Sequence, residues 1–370
     1  MNRGKSRKVL STKQLFAILV VGVGGTGLID LTRFVTEIAL QDGWISTLLG
    51  GLLSFITVNI ILFLMKYFPD KTFIQISELV LGKYLGKIPG LMIFFFYLAY
   101  SSIAIRTLAD LGSVWFLPKT PIEIIMISTL GLLYYLTRNG IKVLGRFHQT
   151  ILWIVVPVLP LFLVPFILYR DDLLLMPVGG AGLKLILKAV LPGYYAYLGF
   201  ESLLFLYPYV REDTSHKEIV KISNFAVLII VLLKTFVVFS NIAVFGHIEI
   251  GFFLYPLLQY FKMLTFPVIE RVEFFLMYFL IFIIFSSIAL FYYMANLSIE
   301  QILKIEGYKN TGLFLAIPIY FLTIVPQNAG EVFKYVELMG YIGNSVIWSA
   351  IAIVFGVAII RRKVNNNENY

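Results

Sequence analysis

The first long apolar stretch of this chain is broken near its middle by Gly22-Val23-Gly24-Gly25-Thr26-Gly27, and a later one is broken by Gly199-Phe200-Glu201. Each glycine costs a helix about 1 kcal/mol relative to alanine, so four in six positions work against a continuous rod. Within lipid, the N–H and C=O groups freed by such a break must be satisfied by protein or by a water-filled cavity. Paired interruptions of this kind, one in each half of a membrane bundle, line the solute sites of secondary carriers.

The composition supports a membrane bundle. Of 370 residues, 59% are hydrophobic and 14% charged, against about 25% charged in a soluble domain. The mean hydropathy is +0.88. The absence of cysteine excludes disulfides, thiolate metal sites and cysteine nucleophiles. The basic segment Met1 to Lys13 runs into a long apolar stretch with no small-residue cleavage site, as expected of a retained cytoplasmic tail rather than a removable signal.

A bilayer core about 30 Å thick needs about 20 apolar residues per helix. Ten stretches meet this pattern: 14–38, 44–66, 90–114, 121–138, 148–169, 190–210, 222–247, 270–296, 311–326 and 338–360. Pro157, Pro160 and Pro165 predict a bent fifth helix. With the N-terminus inside, cytoplasmic segments carry 20 Lys and Arg residues and outer segments 7, which places both termini in the cytoplasm. The net charge of +9 is spread over these short loops, which gives no support to nucleic-acid binding. The expected organisation is a tail at 1–13, a single ten-helix membrane domain at 14–360 and a tail at 361–370. Ten spans divide into two sets of five, each opening on its broken helix. Because five is odd, the second set must run in the opposite topology, an all-α polytopic 5+5 inverted repeat with discontinuous first and sixth helices. Residues 70–88 have the spacing of a helix lying in the cytoplasmic interface, and the apolar outer segment 249–266 reads as a short hairpin over the outer mouth.

Candidate site residues cluster around the breaks. Gly22, Gly24, Gly25, Thr26 and Gly27 match G-x-G-x-x-G, but the dinucleotide fingerprint requires a soluble strand-turn-helix unit, and nine more apolar spans follow here. They read as unwound ligand-binding backbone, with close helix packing as the alternative. Glu201 puts a carboxylate near midplane, where it can bind an ammonium, take a proton or cap freed N–H groups. Tyr197 and Gly199 flank it. Tyr97 and Ser101 on the third span, and Ser286 and Ser287 on the eighth, lie at similar depth, although intramembrane serines commonly bond back to their own helix. Asp30, Arg33 and Glu37 follow the first break on one helical face, with Arg33 roughly 9 Å beyond it. Arg106 and Asp110 repeat the spacing on the third span. Arg33 and Arg106, with Asp30, suggest an outer gate joining the two helices, whereas Glu37 and Asp110 read as surface partners. Lys234, mid-span in the seventh helix, must snorkel, pair or lose its proton. His148, His216 and His247 read as lying near helix ends. No catalytic, metal or phosphate motif is present, since Gly179-Gly180-Ala181-Gly182 lacks a following G-K-[ST]; the chain reads as a non-enzyme without cofactors.

Several longer stretches carry a resemblance. They are Trp115-Phe116-Leu117-Pro118-Lys119-Thr120-Pro121, Arg138-Asn139-Gly140-Ile141 followed by Arg146, Gly199-Phe200-Glu201 with Pro208, and Tyr255-Pro256 followed by Glu270-Arg271-Val272-Glu273-Phe274. In this order and spacing they resemble the permease-like B subunits of bacterial spore germinant receptors, a branch of the amino acid/polyamine/organocation superfamily. The chain departs from that pattern at Met277-Tyr278-Phe279, where the family usually carries a tryptophan. The resemblance implies a nutrient sensor that binds a small germinant such as an amino acid and signals with an A and a C subunit in the spore inner membrane. The competing expectation is a proton- or ion-coupled amino acid transporter.

Overall fold

The computed structural model describes residues 8–25, 27–264, 272–305 and 308–360. Thr26, Glu270 and Arg271 fall outside them, as do residues 1–7 and 361–370 of the two tails.

A capping box starts the chain's first helix: Ser11 Oγ accepts from the Gln14 N–H, and Gln14 Oε1 accepts from the Ser11 N–H. This helix, α1 (Thr12–Gly24), stops in the glycine cluster, and the chain resumes helical structure as α2 (Leu31–Ala39). A 3-10 turn at Leu40–Asp42 leads into α3 (Gly43–Tyr67). The stretch read as an interfacial helix contains α4 (Phe73–Leu81), whose Phe73, Ile76 and Val80 are buried while Leu79 faces out. Next come α5 (Lys87–Trp115) and α6 (Ile122–Thr137). The proline-rich fifth span is α7 (Ile141–Val155), a seven-residue 3-10 stretch at Val156–Phe162, and α8 (Leu163–Tyr169). Prolines that cannot donate to the helical ladder thus turn a bend into a change of helix type.

The sixth span is interrupted as the first is. Pro192 lies inside α9 (Leu183–Tyr194); a turn at Tyr195–Tyr197 follows, and Gly199 takes φ = 121°, which an L side chain rarely adopts. Helical structure resumes through Phe200–Ser202 into α10 (Leu203–Leu206), bent by 50° from the first half. The remaining helices are α11 (His216–Ile250), interrupted at Gly246, the short α12 (Pro256–Lys262), α13 (Val272–Leu303), α14 (Tyr308–Thr323) and α15 (Ala329–Ile360). The outer segment read as a hairpin is therefore one short helix across its described residues.

Each of the ten apolar stretches contains helix among its described residues. Among the described residues, six helices are long and apolar enough to cross a membrane, with the bent pair Leu183–Tyr197 and Phe200–Tyr209 a seventh. One of the six, Leu31–Tyr67, joins α2 to α3. The apolar helices at Thr12–Gly24, Ile122–Thr137 and Thr311–Thr323 are shorter. In the interior, α1 packs on α7, α11 and α13, α3 on α9 and α11, and α5 on α13 and α15.

Two contacts tie the halves together. At one end of the bundle, the buried Asp42 carboxylate accepts the Gly179 N–H at 2.8 Å and the Ala181 N–H at 2.9 Å, so the glycine loop cradles an internal carboxylate. At the other end, the described residues 8–11 ahead of α1 are held against the bundle. Leu10 is fully buried and bridges Val210 at the end of the sixth span, and Lys8 pairs with Asp70 at 2.7 Å and Glu212 at 3.7 Å. The hydrogen bond to Asp70 holds the Lys8 ammonium above its ordinary pKa. The contribution of this pairing is therefore present through the neutral range and is lost as alkaline pH rises through that raised value.

Candidate functional site

The two breaks pass against each other at the centre of the bundle. A side chain added at Gly27 (φ = 73°) would meet Ala196 Cβ at 2.8 Å, and one added at Gly199 would meet a Val23 methyl at 3.0 Å. The residue number rises along one break as it falls along the other, so the crossing is antiparallel. At Gly25 an added Cβ would lie 2.5 Å from the Ile283 carbonyl oxygen, so α13 accepts only glycine there. The Gly25 N–H donates to Ser287 Oγ at 3.1 Å, which answers one of the groups freed by the break.

Lys234 reaches this crossing from α11. Its side chain is fully buried, and Nζ donates to the Val23 carbonyl at 3.0 Å and also to the Ala196 carbonyl. It lies 5.3 Å from the centre of the Tyr197 ring, whose hydroxyl donates to the Thr47 carbonyl. Lys234 does not snorkel: its Nζ is held inside the bundle by main-chain carbonyls.

Beside the crossing is a cavity of about 40 Å3, lined by Gly25, Gly27, Ile29 and Asp30 from the first break, Tyr100, Ile103, Ala104 and Thr107 from α5, Ile284 from α13, and Val336 and Met339 from α15. That volume holds about three waters. An amino-acid-sized solute fits only when lining side chains give way. Asp30 is 4% exposed and accepts from the Tyr195 hydroxyl. Tyr195, Phe34, Phe333 and Tyr255 form a run of ring contacts at 5.3 to 5.7 Å from the cavity to the outer segment. Arg33 caps the run, its guanidinium 5.2 Å from the Phe333 ring centre and 3.5 Å from the Phe253 carbonyl.

Several candidate residues lie elsewhere. Tyr97 packs against Phe205 and Phe291, and Ser101 Oγ bonds back to the Tyr97 carbonyl, so the face of α5 toward the cavity is the one carrying Tyr100 and Thr107. Ser286 Oγ bonds back to the Phe282 carbonyl. Glu201 caps its own break, its Oε2 accepting the Gly199 N–H at 2.6 Å, and is not among the cavity-lining residues. Gly22 is a packing position inside α1, where an added Cβ would meet Leu290 and His148; Gly24 ends that helix. Thr26 lies outside the described residues. The expected gate does not join the first and third helices through charge: Arg33 pairs with its own Glu37 at 2.7 Å and Arg106 with its own Asp110 at 3.0 Å. Asp110, read as a surface partner, is 13% exposed and faces a separate 150 Å3 cavity with Trp115 and Tyr255. His148 is a further correction. It is fully buried within α7, its ring nitrogens facing the Leu144 and Ser286 carbonyls, because that helix starts at Ile141, earlier than the apolar run. Among the described residues, no group of His, Asp or Glu could hold a metal ion.

The sequence profile of the family described as "Spore germination protein" matches residues 9–332. The chain belongs to the spore germination protein family. Relatives include spore germination protein A2 of Bacillus subtilis (strain 168), 25% identical over 98% of this chain and 99% of the relative. Spore germination protein GerQB of Bacillus cereus is 23% identical over 96% and 97% respectively. Among solved structures, the fold matches Mhp1, a nucleobase-cation-symport-1 family transporter in a closed conformation with bromovinylhydantoin bound. The TM-score is 0.67 at 13% identity, covering 98% of this chain and 82% of that one. A manganese transporter of Eremococcus coleocola matches with a TM-score of 0.59 at 15% identity, over 97% and 80%. This spore germination protein is thus a multi-pass, permease-like membrane protein with the 5+5 inverted-repeat transporter fold, and its family is not one of enzymes.

Proposed function

We propose that this chain is the ligand-sensing B-type subunit of a germinant receptor in the spore inner membrane, binding a small zwitterion such as an amino acid in the cavity beside the crossed breaks. The observation that carries this reading is the placement of one buried carboxylate, Asp30, on an otherwise largely apolar cavity at the N-terminal end of the half-helix α2. The Val23 and Ala196 carbonyls are already taken by Lys234, so the ligand ammonium faces Asp30 rather than freed carbonyls. The ligand carboxylate is favoured by the positive end of the α2 dipole, and Ile103, Ile284 and Met339 meet an apolar side chain. Binding favours one arrangement of the bundle by its differential affinity, and that shift is read by A and C subunits.

The second reading, coupled solute transport, is favoured by the transporter fold. Purified chain in proteoliposomes separates the two. Sensing predicts saturable binding of one or a few labelled L-amino acids without accumulation; robust accumulation driven by a pH gradient would make transport the principal role.

A further inference from the structure

Among the described residues, Lys234 is a cation whose hydrogen bonds touch both breaks. Its ammonium lies against two carbonyl oxygens that the breaks withdraw from helical bonding, Val23 in the first and Ala196 in the second. The face of Tyr197 lies 5.3 Å away. Main-chain carbonyls of unwound segments coordinate a dissolved monovalent cation in carriers of this design, and an aromatic face adds to the attraction. A lysine side chain is a compact point charge with three donors on a four-carbon stem, long enough to bring a cation in from a neighbouring helix.

We infer that the crossing is a monovalent-cation site filled by the Lys234 head group, so that this protein holds its two breaks together without sodium or potassium. Truncating the side chain opens that site to a small soluble cation, methylammonium being the best fit because it restores the ammonium head. Lys234 does not line the ligand cavity, and the inference concerns the unliganded protein, so it stands or falls apart from the reading proposed above.

The test is thermal unfolding of the full chain in detergent, followed by tryptophan fluorescence, at constant ionic strength with sodium, potassium, methylammonium or N-methyl-glucamine chloride. Wild type is expected to unfold at the same temperature in all four. Lys234→Ala is expected to unfold several degrees lower in N-methyl-glucamine and to regain about 2 °C or more, saturably, with methylammonium. Lys234→Met, which removes the charge but keeps the stem in the site, is expected to show no such rescue. An Ala variant indifferent to cation identity, or a wild type that gains as much from sodium or methylammonium, overturns the inference. Should Lys234→Ala resist purification, Lys234→Ser is extracted in methylammonium or N-methyl-glucamine throughout; a higher yield of monodisperse protein in methylammonium supports the inference, and equal yields overturn it.

Discussion

Alanine at Gly25 is expected to shift the germinant response by at least about 100-fold in ligand concentration, while alanine at Gly24 leaves it within about threefold of wild type. The two substitutions add the same methyl one residue apart. At Gly25 it would sit 2.5 Å from the Ile283 carbonyl oxygen and 2.7 Å from Ser287 Oγ, so the break must move off α13 and give up the bond that Ser287 accepts. At Gly24 its nearest neighbours are Ile230 and Ile283 methyls at 3.6 and 3.8 Å, ordinary contact. Alanine there also favours the end of α1 by up to about 1 kcal/mol. Overpacking at Gly25 costs about 1–3 kcal/mol of stability, so the variant is compared at matched protein levels. The measurement is ligand concentration at half-maximal response in spores carrying each variant. Equal tolerance at both positions would mean that the break is not seated on α13 as described.

Asparagine at Asp30 is expected to weaken the response by about tenfold to a hundredfold, because it keeps the size of the side chain and an acceptor for Tyr195 but removes the charge facing the cavity. Charge-assisted hydrogen bonds are worth about 1.5–3 kcal/mol, which corresponds to that range. Glutamine at Glu201 is expected to change the response by less than about threefold, since its carbonyl oxygen can still accept from the Gly199 N–H and the residue lies off the cavity. The two are read in one ligand titration. If Glu201→Gln is the damaging change and Asp30→Asn the silent one, the ammonium site belongs to the second break.

Much of this was legible in sequence because it is local. Glycine clusters announce where a helix cannot continue, and a carboxylate just beyond the first break, Asp30, falls on the cavity the break creates. Ser287 was legible only as a polar group at the right depth, and it reaches the first break. The rotation of α5 was not legible. Its lipid-facing and core-facing sides are both apolar, so periodicity carries little phase, and the sequence offers Tyr97 with Ser101 for the face that Tyr100 and Thr107 present. Lys234 shows a different limit. A charged residue mid-span signals a partner, but its partners are backbone carbonyls some 211 and 38 residues away in the chain, which side-chain patterns do not encode. The α7 boundary hid His148, since Lys142 and Arg146 interrupt hydropathy without interrupting the helix.

Cysteine accessibility tests the central claim, that the crossed breaks enclose a solute site, most directly, because the natural chain contains no cysteine. Single cysteines at Ala104 and Thr107, which line the cavity, are compared with one at Leu98, a buried α5 position off it. A small methanethiosulfonate reagent is predicted to label the first two, with a panel of L-amino acids containing at least one that protects both, while Leu98→Cys stays unlabelled throughout. Equal labelling at all three positions, or labelling at Ala104 and Thr107 that no amino acid slows, would contradict the account.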